Sequence, residues 1–200
     1  MQVALPDSQT ATLILDPESP PSEEQFLAFC EANPELRVER SAKGEISIVP
    51  PAGFESDHRN LNAASQLFSW SLQGKRGRAS GSSALFFLPD GSAMSPDAAW
   101  TSNERLGSID GSEKKRFPHV CPEFVIEVLS PSDRLPAAQR KMRAWIANGA
   151  SLGWLIDGDA MRVYVYRQAG EVEIVTGDHI DGEGPVAGFR LDLGSIWEGL

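Results

Sequence analysis

The chain has 200 residues, of which 41% are hydrophobic and 23% charged, with a formal net charge of −10. That composition excludes fibrous, collagen-like and wholly disordered classes and suits one hydrophobic core. No apolar run approaches the roughly 18 residues of a membrane-spanning helix, and the charge repels nucleic acid except at a basic patch or through a divalent cation.

The opening MQVALPDSQT lacks the basic and apolar regions of a signal peptide. Two cysteines, Cys30 and Cys121, make neither a disulfide framework nor a four-thiolate zinc site, so a cytoplasmic protein with reduced thiols is expected. Residues 1–21 read as an arm, with a short strand at 10–15 before Pro17, Pro20 and Pro21. Residues 22–198 read as one domain. Ser22 stands as N-cap, with Glu23 and Glu24 in the first turn of a short helix that stops before Pro34. Two alternating runs, 36–40 and 45–49, flank Lys43-Gly44 and predict a hairpin.

Asp57 is the expected N-cap of a helix over 58–73, with Leu61, Ala64, Leu67, Phe68 and Leu72 at helical spacing. Strands are expected at 84–88 and 93–100, joined by Pro89-Asp90-Gly91. Residues 102–118 read as loop. The run 124–129 is a buried strand carrying one carboxylate. A helix over 134–148 follows, closed by Gly149. Strands at 152–157 and 161–167 come next, with 171–175 pairing to the latter and 188–193 adding an edge. This order predicts an α/β fold, a mixed sheet with helices packed on it.

The chain contains no His-Glu-x-x-His, no Gly-x-Ser-x-Gly and no Walker A motif, and its histidines, His58, His119 and His179, are scattered. Glu127 is the informative residue. It sits in a strand apolar on both faces, where an unpaired carboxylate costs several kcal/mol. A metal, a proton, a partner arginine or a strand end near water would each relieve that cost. Asp97 follows Pro96 at the expected start or edge of a strand. On the following helix, Leu135, Ala138, Met142, Trp145 and Ile146 fall within roughly 100° of arc. Arg140 points away from that stripe, whereas Lys141 lies beside it and can bury its stem while its ammonium reaches the sheet. Two carboxylates on neighbouring strands suit Mg²⁺, and a nearby lysine suits a developing oxyanion. Lys75, Arg76 and Arg78 form one basic cluster and Lys114, Lys115 and Arg116 another; either can meet phosphate or simply be solvated.

The segments GEISIVPPAG (44–53), SDHRNLNAASQLFSW (56–70), SPDAAW (95–100), PEFVIEVLSPSDR (122–134), QRKMRAWIANGASLGWLID (139–157), RVYVYR (162–167) and GFRLDL (188–193) together resemble the Uma2 family. That family is similar to restriction-endonuclease-like PD-(D/E)xK nucleases. The resemblance implies a restriction-endonuclease-like fold with a mixed central sheet, and Mg²⁺-dependent cleavage of DNA, with Mn²⁺ as an alternative ion. Asp97 and Glu127 would bind the metal. Leu129 stands where the motif has lysine, and Lys141 is the implied replacement. Glu45 and His58 match upstream positions and are candidates for an auxiliary ligand and a helper. A homodimer is also expected, from the family and from five tryptophans. The rival reading is a non-cleaving descendant of the fold that acts as a binding or assembly module.

Overall fold

The computed structural model describes residues 11–13, 21–131 and 133–198. The rest of the expected N-terminal arm and its 10–15 strand lies outside the described residues. Strand β1 (Ala11–Leu13) precedes helix α1 (Glu23–Ala32), β2 (Arg37–Arg40) and β3 (Ile46–Val49). The Ser22 side chain accepts from the Gln25 N–H while the Gln25 side chain accepts from the Ser22 N–H, a reciprocal capping box. The predicted hairpin forms, with Arg37 opposite Val49 and Arg40 opposite Ile46.

Helix α2 (Phe54–Gly74) starts earlier than the sequence pattern suggests. Gly53, extended after the Pro50-Pro51 break, is its N-cap. Asp57 instead sits in the first turn, where its charge meets the positive end of the helix. Then come β4 (Gly77–Gly81), β5 (Phe86–Phe87), β6 (Ala93–Met94), β7 (Ala98–Ser102), α3 (Asn103–Gly107), β8 (Phe124–Val128) and α4 (Leu135–Ala147). The chain ends with β9 (Leu152–Asp157), β10 (Arg162–Arg167), β11 (Glu173–Val175), β12 (His179–Asp181), β13 (Arg190–Asp192) and α5 (Gly194–Trp197).

The main sheet runs β11-β10-β9-β8-β7-β4, and its β8–β9 pair is parallel while its other pairs are antiparallel. It is a mixed sheet, as expected. Helix α4 makes the crossover between the two parallel strands. One face packs Leu67 and Ala63 of α2 against Trp100, Phe124, Ile126 and Trp154. The other packs Met142 and Trp145 of α4 against Ala99, Val125 and Leu155. A second sheet, β1-β3-β2-β6-β5, shares its core with Phe26 of α1.

Other expectations change as well. The 93–100 strand is two strands in two sheets, because β6 pairs with β2 and β5 whereas β7 pairs with β4 and β8. Ser95-Pro96-Asp97 is the step between sheets, where Pro96 breaks no ladder. Residues 102–118 are not all loop: the Ser102 hydroxyl accepts from the Arg105 N–H and starts α3. The 188–193 segment does not extend the main sheet, for β13 pairs with β12 in a separate ribbon. Strand β4 was not expected, since Gly77-Arg78-Ala79-Ser80-Gly81 lacks apolar alternation. A Cβ at Gly77 would lie 2.3 Å from the Thr101 carbonyl oxygen and 2.5 Å from the Trp100 ring, so glycine is what lets this edge strand approach β7. Among the described residues no helix is long and apolar enough to cross a membrane.

Candidate active site

Strand β8 has neighbours on both sides and is buried along its whole length. Alternation sends Phe124, Ile126 and Val128 to the α2 face and Val125 to the α4 face. Glu127 shares the α4 face with Val125, and its residue exposure is 8%. Its β7 partner strand pairs Ala98 with Ile126 and Ala99 with Val125. Extending that register by one residue sets Asp97 across from Glu127. The Ser95-Pro96 step thus delivers Asp97 to the end of the main sheet.

Helix α4 crosses this end. Trp145, fully buried, donates its indole N–H to Glu127 Oε1 at 2.9 Å, the partner a buried tryptophan needs. One turn earlier, Lys141 Nζ lies 3.0 Å from Glu127 Oε1 and 3.2 Å from Oε2. It also donates to Glu39 Oε1 at 2.9 Å and to the Ser95 carbonyl at 2.8 Å. Three acceptors match the three donors of an ammonium. Glu39 comes from β2 and also accepts from the Ser95 N–H at 3.0 Å, so it ties the smaller sheet to the step between sheets. Asp97 Oδ2 accepts from the Val128 N–H at 2.8 Å and Oδ1 from Asn60 Nδ2 of α2 at 3.1 Å.

Three carboxylates therefore surround one ammonium. Burial pushes the Glu127 carboxyl up to about 8; Asp97 and Glu39 add to the rise, against the pull of Lys141 and the Trp145 N–H. Burial likewise raises Asp97, opposed by Lys141 and the Val128 N–H. Burial would lower Lys141, but Glu127, Glu39 and Asp97 outweigh it and hold the amine charged. The cluster binds protons tightly because it holds more negative than positive charge in a place that water solvates poorly.

The donor chemistry fits a small hard cation. Mg²⁺ takes one or two carboxylates and completes its shell with water and phosphate oxygens. Each Asp97 oxygen accepts one hydrogen bond, from Asn60 or from the Val128 N–H, and a carboxylate oxygen has two lone pairs. Among the described residues no group of three or more His, Cys, Asp or Glu side chains is arranged to hold a metal ion. The fit is thus one of two carboxylates, Asp97 and Glu127, and not of a full protein cage. A cleft of about 420 Å³ opens next to the cluster; Ser95, Arg37 and Phe117 are among its lining residues.

The structure brings Glu127 and Lys141 into contact and places Asp97 within electrostatic reach of both. Leu129 packs against the α4-side core, and its N–H continues the pairing to Ile156. Glu45 does not join the cluster: its carboxylate accepts from Ser41 in its own hairpin turn. His58 is exposed on α2 and is not among the cluster's partners. Glu39, Asn60 and the Trp145 N–H are the members that sequence reasoning missed. The basic clusters are partly engaged elsewhere. Arg76 lies over the Trp70 ring at 5.6 Å and donates to the Ala187 carbonyl, and Arg116 pairs with Glu31. Lys114 and Lys115 are exposed.

The Uma2 family model, described as "Putative restriction endonuclease", matches residues 23–194. A crystal structure described as "a putative nuclease belonging to DUF820", from Anabaena variabilis ATCC 29413, superposes with a TM-score of 0.76 at 21% identity, covering 90% of this chain and 98% of that one. No curated protein matches the chain. The mixed sheet flanked by helices is the restriction-endonuclease-like fold. With the matched segment spanning α1 to the start of α5 and the fold agreeing along nearly the whole chain, this protein belongs to the Uma2 family.

Proposed function

We propose that the chain is a Mg²⁺-dependent endonuclease, able to use Mn²⁺, that hydrolyses DNA phosphodiester bonds. The observation that carries this reading is the imbalance at the cluster, where Glu39, Glu127 and Asp97 face the single ammonium of Lys141. Asp97 and Glu127 would hold the ion. When bound, it would polarise the phosphate and lower the pKa of a water ligand. Lys141 places positive charge where negative charge develops on the phosphoryl oxygens. Glu39 and the Ser95 carbonyl keep that ammonium on station. The Trp145 N–H orients Glu127, while Asn60 and the Val128 N–H orient Asp97. The neighbouring cleft, with exposed Arg37 on its wall, offers a route for a phosphate backbone.

Calorimetric titration with Mg²⁺ and with Mn²⁺ tests the ion, and a DNA-cleavage assay tests the reaction. Wild type is expected to bind and cleave, and Asp97→Ala to do neither. Equal binding by Asp97→Ala would remove the proposed ion site. One observation favours a second reading, a non-cleaving binding module: Lys141 already satisfies its three donors inside the protein. That module predicts a wild type inert on single-stranded, duplex and branched DNA with either ion.

A further inference from the structure

The cleft of about 420 Å³ is joined to the carboxylate cluster at two points. Ser95 is the first. It lines the cleft, its carbonyl accepts from Lys141 Nζ at 2.8 Å, and its N–H donates to Glu39 at 3.0 Å. Arg37 is the second. It stands two residues before Glu39 on β2, so strand alternation puts both on one side. Burial raises the Asp97 carboxyl, and the charges of Lys141 and Arg37 oppose that rise, so Arg37 reaches the cluster electrically. The cleft wall itself is largely apolar, with Leu36, Val38, Leu85 and Phe117 in it. Phe117 is half-buried; it packs against the small-sheet core and also lines the cleft. Arg37 is the one cation among the described residues that line it. Its Nη2 donates to the Ser82 carbonyl at 2.9 Å, which uses one of the five N–H donors of a guanidinium. Glu31, the acidic residue of the wall, is paired with Arg116.

We propose, resting on the nuclease reading, that this cleft takes an unpaired nucleobase of the strand whose backbone reaches the cluster, so that the substrate is single-stranded DNA or an unpaired stretch of a duplex. Shape and charge select this occupant. The volume falls in the range of about 300–1,000 Å³ typical of small-ligand sites, large enough for a base and too small for a double helix. An intact duplex keeps its bases stacked and paired, and offers a protein mainly its phosphates. A chain of net charge −10 with one cation on the wall is poorly equipped to hold it that way. An unpaired strand exposes the faces of its bases, and stacking on an aromatic ring such as Phe117 needs no charge. Drawing a base out of a duplex costs unpairing and unstacking, and that cost is least where the base is already unpaired. The Ser82 and Ser83 hydroxyls can each donate or accept at a base edge, so the cleft has no reason to prefer one base strongly. Arg37 is left to meet a flanking phosphate.

The test is fluorescence anisotropy of labelled DNA on the full chain, with Ca²⁺ in place of Mg²⁺ and the DNA checked to be intact, so that binding is read without cleavage. Three probes are compared: a short single strand, the same sequence as a blunt duplex, and a strand of equal length built from abasic residues. Wild type should bind the single strand about tenfold more tightly than either of the others. Phe117→Leu keeps an apolar side chain against the core but has no ring. It should lose about tenfold on the single strand and nothing on the abasic strand, whereas Phe117→Trp should keep the preference. A duplex or an abasic strand bound as tightly as the single strand would overturn the proposal. So would a folded Phe117→Leu that binds like wild type; should that variant lose its fold, the abasic strand decides alone. A cleavage assay with Mg²⁺ keeps the two readings apart. Duplex cleavage without base-dependent binding removes the base cleft and leaves the nuclease. Base-dependent binding without cleavage removes the nuclease and leaves the cleft as a site for unpaired DNA.

Discussion

Two cations are drawn into this protein by pairs of carboxylates, one on each face of the main sheet, and the two sites are built in opposite senses. On the α2 face, Arg59 is 6% exposed, while its partners Glu55 and Asp159 are 45% and 64% exposed. On the α4 face, the Lys141 side chain is 26% exposed, while those of Glu39 and Glu127 are 18% and 11% exposed. In the first the anions reach water and the cation does not. In the second the anions are the more buried groups, and Asp97 adds a third. A buried charge that loses its partner is costly, whereas a solvated one is not. The two sites therefore differ in what depends on the cation.

The largest expected effect follows from removing Lys141. Lys141→Met leaves Glu39 in a poorly solvated place without a counter-charge, and above about pH 8, where Glu127 also ionises in wild type, it removes the partner of a second anion; the cost there should be about 3–5 kcal/mol. Urea unfolding measures it. The loss should shrink as pH falls below about 8, where Glu127 holds a proton even beside Lys141. A loss that is small even above about pH 8 would mean that water already reaches the cluster.

The pH dependence of wild type probes the same imbalance. The Glu127 carboxyl rises from 4.5 to about 8 on folding. Between those values the folded chain holds a proton that the unfolded chain has released, so stability is greatest at the acid end and falls as pH rises. Asp97, also raised, acts in the same direction from its ordinary 3.8 upward. His119 is raised too: burial lowers it, but Glu113 and Glu23 at its ring nitrogens prevail, and its contribution fades as pH climbs above 6.5. The share of Glu127 is the part of the slope that disappears in Glu127→Gln. A slope identical in that variant would remove Glu127 as its source.

Glu127→Gln itself should leave stability at neutral pH unchanged or raised, because the amide escapes the cost of protonating a carboxyl that folding lifts to about 8. The amide oxygen can still accept from Trp145, and Lys141 keeps Glu39 and the Ser95 carbonyl. Glu127 does face a buried cation, but that cation does not depend on it alone, so replacement does not strand a charge. Under the proposed function the same variant loses metal-dependent cleavage, because it lacks the anionic oxygen that a hard ion prefers. A large loss of stability with cleavage intact would make Glu127 structural.

Much of this site is readable along the chain. Glu127 stands out because it is one carboxylate in an apolar strand, and Lys141 because the helical period of α4 sets it beside the buried stripe. Glu39 does not stand out. In Arg37-Val38-Glu39-Arg40 it looks like the solvated side of a hairpin, and its ammonium partner lies 102 residues away. Asn60 is hidden for the same reason, one polar residue among several on α2. The sheet-to-sheet step at Ser95-Pro96-Asp97 is invisible to periodicity, because two short apolar strands in different sheets read as one. Strand β4 is missed because its place rests on the missing side chain of Gly77, a tertiary reason that alternation cannot report.

The smallest effect is expected at the other cation. In Arg59→Met the methionine stem can fill much of the space that the arginine stem occupies. Glu55 and Asp159 then turn to the water they already touch. The substitution also deletes Arg59 Nε, a buried donor without a hydrogen-bond partner, which offsets part of what the two ion pairs contribute. What is lost is packing. The guanidinium covers Gly158 so closely that a Cβ there would lie 2.6 Å from Nη1, and methionine covers that glycine less well. The net cost should be about 1 kcal/mol in the urea titration applied to Lys141→Met. A cost at Arg59 equal to that at Lys141 would break the comparison, because it would show that partner exposure does not set what a buried cation contributes in this fold.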